Sequence, residues 1–188
     1  MKRLPLILLA VVAILAFLGI GAYNSIQTKD EAAAAAKQQI EVQLQRRADL
    51  VPNLVETVKG FANQEMTIFT EVAEARAGLA GAVRGGNVGE MARANEAMTG
   101  ALGRLLAISE NYPQLKSDAN FLRLQDELAG TENRIAVSRT DYNGAVRDYN
   151  TYIRKFPAVL VAKLSGAAAR EYFEVQNEAA REVPKVGF

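Results

Sequence analysis

The sequence predicts an all-α protein: an N-terminal transmembrane helix followed by an elongated antiparallel four-helix bundle. Three observations carry this expectation. The run LPLILLAVVAILAFLGIGA, Leu4 to Ala22, contains no charged residue. Beyond residue 23 nothing reads as a strand, and apolar residues recur at intervals of seven, the spacing of a helix seam. Prolines at 52, 113, 157 and 184 and the glycine-rich GLAGAVRGGNVG, Gly78 to Gly89, interrupt that pattern where helices should end.

The first element is the apolar run. As a helix it spans roughly 28 Å, close to the ~30 Å hydrocarbon core of a bilayer. A core helix of a soluble protein would keep a polar face, and this run has none. The small residues Gly19, Gly21 and Ala22 raise the rival reading of a cleaved signal peptide. The run is longer than the roughly 7–15 residues of a signal's apolar region, so an uncleaved anchor is the better reading. The expected organisation is a short tail at 1–3, a transmembrane helix at 4–23, a helical bundle at 24–165, and a C-terminal segment at 166–188 that forms a short helix and then a tail.

Lys2 and Arg3 immediately precede the span, whereas Lys29 and Lys37 follow at a distance and are accompanied by Asp30 and Glu31. The count of basic residues is a tie, but those before the span lie closer to it, which puts the N-terminus in the cytoplasm and the large domain outside. Only about three residues would then face the cytoplasm. A receptor with its own cytoplasmic output domain is not expected.

Next come the bundle helices. Ala32–Ala36 supplies helix propensity with little to bury. Leu44, Val51 and Val58 continue in phase through Pro52, which favours one helix. A single helix from 24 to 84 would, however, be roughly 90 Å long and leave apolar surface bare. A break at Pro52 is therefore expected, placing the Pro52 and Pro113 turns together at the tip farthest from the membrane. The seam continues as Val58, Glu65, Val72, Leu79, then Met91, Met98, Leu105, Tyr112, and after Pro113 as Phe121, Leu128, Ile135, Tyr142, Tyr149, Phe156. Such repeats imply near-parallel, interdigitated packing.

Composition bounds the chemistry. There is no His, Cys or Trp. Triads and dyads that need His or Cys are excluded, as are zinc, haem and iron–sulfur sites of the usual ligand sets. Carboxylate pairs such as Glu71 and Glu74 lack the histidine partners of metal-binding bundles. Gly85-Gly86-Asn87-Val88-Gly89 has no following Lys-Ser/Thr and reads as a turn. With 22 basic and 21 acidic residues there is no basic stripe for nucleic acid. No enzyme activity, catalytic residue, metal or cofactor is expected, and no nucleic-acid partner.

Two groups of residues stand out as candidate surfaces. Arg46, Arg47, Asp49, Asn53 and Glu56 flank Pro52 and would form an exposed recognition tip. The plainer reading makes them ordinary helix-end residues, with Asp49 bonding free backbone groups. The apolar stretch FPAVLVAKL, with Phe156, Leu160, Val161 and Lys163, is too short to span a bilayer. It would lie at the membrane interface or cap the base of the bundle. The repeated Tyr142-Asn143 and Tyr149-Asn150 pairs read as seam tyrosines with amides reaching polar neighbours.

Taken together, the apolar N-terminus ending in Ala22-Tyr23-Asn24, QLQRRADLVPNLVETVKGFA, ENYPQLKSDANFLRLQDEL, ENRIAVSRTDYN, DYNTYIRKFP and the late EYFEV resemble the LemA family of bacterial membrane proteins. These blocks occur in order over nearly the whole chain. The resemblance implies a helical bundle on an N-terminal membrane anchor; with the charges around the span, the expected place is the bacterial inner (cytoplasmic) membrane with the bundle on the periplasmic or extracytoplasmic side. It supplies no molecular activity. The expected function is that of a single-pass scaffold or adaptor whose partners are the lipid bilayer, an unidentified envelope protein, or a second copy of itself. The alternative is a membrane-surface, lipid-binding remodelling protein that uses the Phe156–Leu164 stretch.

Overall fold

A computed structural model describes residues 4–62 and 64–174, with side chains from Ile7 onward. The protein is all-α, with no strand among the described residues. Its helices are α1 (Leu4–Lys59), α2 (Met66–Gly85), α3 (Val88–Ile108), α4 (Pro113–Lys116), α5 (Ala119–Tyr152) and α6 (Ala158–Ser165), with a 3-10 turn at Ser109–Asn111 between α3 and α4. Residues 167–174 are not helical, and the remainder of the predicted C-terminal segment lies outside the described residues.

Helix α1 opens with the apolar run. Its large apolar side chains are bare on every side, from Val11 at 48% exposed to Phe17 at 78%. The stretch is long and apolar enough to cross a membrane. Protein packing begins where the run ends, with Ala22 and Ile26 buried.

The break expected at Pro52 does not occur. Helix α1 is continuous for 56 residues with Pro52 inside it. Two features offset the proline. Leu44, Val51, Leu54 and Val58 are all buried, so the seam that runs in phase through Pro52 is satisfied on both sides. Proline also removes the N–H that would bond the carbonyl four residues back. That carbonyl belongs to Ala48, and Arg76 Nε of α2 donates to it at 2.9 Å. A side chain from a neighbouring helix thus replaces the missing backbone donor.

The chain instead leaves α1 at Gly60, where the Val58 carbonyl accepts from the N–H groups of Phe61 and Ala62. It re-enters helix at Met66. Glu65, the one charged member of the predicted seam, precedes α2 as its cap residue. Phe61 lies beside Asn111, Tyr112, Pro113 and Gln114 around a shallow cavity of about 280 Å³. The turn near Pro113 is therefore the one after α1, and Pro52 is not part of it.

Helices α2 and α3 form a hairpin. Gly86 closes α2 at φ 69°, a left-handed conformation that suits glycine. Asn87 caps α3 by accepting from the Glu90 N–H at 2.9 Å. Near the other end of the hairpin Arg104 Nε donates to Glu71 at 2.8 Å. Pro113 occupies the first turn of α4, and Asp118 caps α5 by accepting from the Phe121 N–H at 2.9 Å.

Two compact units result. Among the described residues the first comprises 4–39 and 138–171, and the second 40–62, 64–137 and 172–174. In the second, the buried seam residues are Leu44, Val51, Leu54 and Val58 of α1, Val72 and Leu79 of α2, Met91, Met98 and Leu105 of α3, and Phe121, Leu128 and Ile135 of α5. Each such side chain contributes about 1.5–3 kcal/mol on burial. The core of the first unit is Ile26, Tyr149, Ile153 and Ala162, flanked by Tyr152, Val161 and Ala167.

Candidate functional site

The candidate tip residues do not share one environment. Arg46, Asp49, Asn53 and Glu56 are exposed on the continuous α1. Their spacing of three, four and three residues places them on one face of the helix. They form a stripe on a helix flank, since there is no turn at Pro52. Asp49 accepts from the Gln45 side chain at 2.8 Å, one turn back, and does not serve as a backbone cap.

Arg47 faces the other way and is only 4% exposed. Its Nη1 donates to Asn95 Oδ1 of α3 at 2.6 Å and lies 2.6 Å from Glu132 Oε2 of α5. The contact with Glu132 is a charge contact without hydrogen-bond alignment, and Arg47 Nε and Gln43 Oε1 have no hydrogen-bond partner. Burial pulls the guanidinium pKa down, and the Glu132 carboxylate pushes it back up. Arg47 is an internal polar tie between three helices.

In the first unit a second polar cluster closes the irregular segment after α6 onto the helices. The Arg170 N–H donates to Asn150 Oδ1 at 2.8 Å, and Asn150 Nδ2 donates back to the Arg170 carbonyl at 2.9 Å. The Arg170 guanidinium is bidentate on Asp30 of α1, at 2.7 and 3.0 Å, and lies 5.9 Å from the Tyr149 ring centre. Tyr142 Oη donates to the Glu171 carbonyl at 2.7 Å. The bond from Arg170 holds the Asp30 carboxyl below its usual range, against an opposing effect of burial. Burial raises Tyr142 and Tyr149, and the Asp30 charge adds to the rise at Tyr149. The tyrosines fill the seam and the Asn150 amide reaches polar neighbours, as their spacing predicted.

Of the predicted membrane-interface residues, Phe156 is 81% and Leu160 54% exposed, and Lys163 is also exposed. Val161 turns inward against the first unit's core. Leu164, at 89%, extends the outward face instead. Phe156 lies beyond the end of α5, so the heptad series that predicted it as a seam residue ends at Tyr149.

Arg76, Asp30, Arg170 and Glu132 were not singled out in the sequence. Asp30 and Arg170 are 140 residues apart, and no periodic pattern pairs them. Arg76 alone had a signal: a proline inside an otherwise unbroken seam implies an orphaned carbonyl that needs a donor.

Comparison with known proteins gives a consistent picture. Residues 36–188 match the model of the LemA family. The chain is 30% identical over 194 residues to the magnetosome proteins MamQ 1 and MamQ 2 of Paramagnetospirillum magneticum, covering 90% of this chain and 71% of each relative. It is 32% identical over 174 residues to the magnetosome protein MamQ of Magnetospirillum gryphiswaldense, covering 80% of this chain and 64% of that relative.

Proposed function

The chain belongs to the LemA family, and on that premise we propose that it is a single-pass, non-enzymatic scaffold or adaptor that presents a helical surface to an envelope protein or to a second copy of itself. One observation carries the reading: α1 is a single uninterrupted helix that begins as the apolar span and continues to Lys59 as part of the packed domain. A change of partner on the α1 surface is thereby coupled to the membrane without a linker. The seam shared by α1, α2, α3 and α5 in the second unit supports the four-helix bundle of this proposal, with neighbouring helices antiparallel. The closeness of Lys2 and Arg3 to the span supports a domain outside the cytoplasmic membrane.

The surface proposed for recognition is the stripe Arg46, Asp49, Asn53 and Glu56. It mixes both charge signs on one exposed face, which suits a specific polar interface. Photo-crosslinking from position 53 in cells is expected to trap a discrete adduct. Arg46→Glu combined with Glu56→Lys is expected to abolish it while leaving the amount of folded protein unchanged. No adduct, or one indifferent to charge reversal, would overturn the recognition face. A second role at the lipid surface is favoured by the bare apolar face of α6.

A further inference from the structure

We propose that the groove between α1 and α5 in the first unit is a binding site for the headgroup of an anionic phospholipid. It rests on the reading of Leu4–Ala22 as a membrane span. The groove is lined by Lys29, Arg147, Asp148, Thr151, Tyr152 and Lys155 and encloses about 460 Å³. Three cations and one carboxylate leave it with two net positive charges. Asp148 offsets little of this, as its nearest contact with Arg147 is 3.9 Å between two largely exposed side chains. Lys29 is held over the Tyr152 ring, 5.6 Å from its centre. Its position is thus defined by the ring, and among the described residues no carboxylate forms an ion pair with it.

Depth identifies the ligand as a lipid. Lys29 is seven residues beyond Ala22, or roughly 10 Å along α1. The headgroup region adds roughly 5–8 Å to each side of the hydrocarbon core, so the Lys29 backbone stands a few ångströms beyond it, and a side chain leaning toward the N-terminus of α1 reaches back to the phosphates. A second observation fixes the same level independently. Ala162 of α6 packs in one cluster with Ile26, four residues past Ala22 and roughly 6 Å along α1. At that depth Phe156, just before α6, and Leu160 and Leu164 of α6 face outward, each more than half exposed. An apolar stripe at interfacial depth, adjoining Lys155, describes a foot with its face in the acyl boundary and its cations at the phosphates.

The test uses the full chain purified in detergent and reconstituted into nanodiscs. Native mass spectrometry after exposure to equal amounts of phosphatidylglycerol and phosphatidylcholine is expected to show preferential retention of phosphatidylglycerol. Each cation removed among Lys29→Gln, Arg147→Gln and Lys155→Gln should lower that preference about fivefold. The control set Arg93→Gln, Arg123→Gln and Arg139→Gln, exposed and outside the groove, should leave it intact. Preference in the unmodified chain should also fall steeply when salt rises from about 0.05 to about 0.5 M, a readout independent of any variant's folding.

Because the chain has no cysteine, single spin labels report depth. A label at Val12→Cys is expected in hydrocarbon, one at Leu164→Cys at the interface, and one at Asp126→Cys in water. Equal retention of both lipids, or equal loss in groove and control sets, with Val12 in hydrocarbon, overturns the headgroup site and leaves the anchor standing. A water-exposed label at Val12 overturns both.

Discussion

The two partners of the Arg47–Glu132 contact make opposite predictions at the level of single residues, because one is buried and the other is half in water. Arg47 is sequestered while its partner Glu132 remains 46% exposed. Removing the carboxylate strands a buried cation, whereas removing the cation leaves a carboxylate whose Oε2 is buried but whose side chain is otherwise open to water. Glu132→Ala is therefore expected to cost about 3 kcal/mol, and Arg47→Met about 1 kcal/mol or less, in chemical unfolding. An equal or reversed order would mean that the tie does not bury an uncompensated charge. Arg47→Glu sets like charges face to face and is expected to prevent accumulation of folded protein. It is thus unsuitable as a probe of recognition, and the exposed Arg46 is the residue to vary.

At Asp30 and Arg170 the prediction is one of pH. The carboxyl of Asp30 is held below the usual value near 3.9 by its bond to Arg170. Its contribution to stability is complete above about pH 4 and disappears as pH falls through the lowered value. Raised basicity at Arg170 has no effect near neutrality, since the guanidinium is charged throughout. With both side chains about a third exposed, the pair is worth no more than about 1 kcal/mol. Asp30→Asn is expected to lower the melting temperature by about 2–4 °C at pH 7 and by progressively less as the pH falls below about 4. A difference that did not shrink on acidification would assign the effect to packing instead.

At the scale of the helix, Pro52 and Arg76 form one device. Arg76→Ala should leave the Ala48 carbonyl without its donor, at a cost of about 1–3 kcal/mol. Pro52→Ala restores the backbone N–H, so the same arginine deletion should cost much less in that background. A double-mutant cycle is expected to show coupling of about 0.5–3 kcal/mol, and additivity would refute the device. This pair also shows where the sequence was legible. The heptads located the buried seam from Leu44 to Tyr149, because burial on one helix face leaves a period that survives any change of partner, but they passed over buried residues such as Ile26, Ile40, Phe69, Leu102, Leu115 and Ile153. Leu44, Val51 and Val58 were in phase through the proline, and the phase was the better guide than helix length. The true break was marked by Gly60 and by Glu65, a charge where the seam required an apolar residue. What no period encodes is contact between distant segments: Arg170 on Asp30, Arg76 on Ala48, or the inward turn of Arg47 beside the outward Arg46. Neighbours in a helix differ by about 100°, and only packing decides which of two adjacent arginines is buried.

For the molecule as a whole the decisive quantity is the side of the membrane on which the helices fold. Only charge near the span bears on it. Lys2 and Arg3 directly precede the apolar run, whereas on the other side Lys29 is followed at once by Asp30 and Glu31 and is drawn into the Tyr152 contact. Positive charge close to the end of a span is retained in the cytoplasm, while acidic residues count for little. The balance therefore rests on proximity, and it should be easy to tip. An Asp126→Cys chain, exposed on α5 and otherwise free of cysteine, is expected to react with a membrane-impermeant maleimide once any outer barrier is opened, without lysis of the inner membrane. Exchanging Lys2 and Arg3 for glutamate should reduce that labelling, because the remaining lysines at 29 and 37 then favour the opposite orientation. Labelling of Asp126→Cys only after lysis would place the bundle in the cytoplasm, and the recognition stripe would have to be sought among cytoplasmic partners. The headgroup site would survive that reversal, since Lys29, Arg147 and Lys155 keep the same distance from whichever leaflet α1 emerges through.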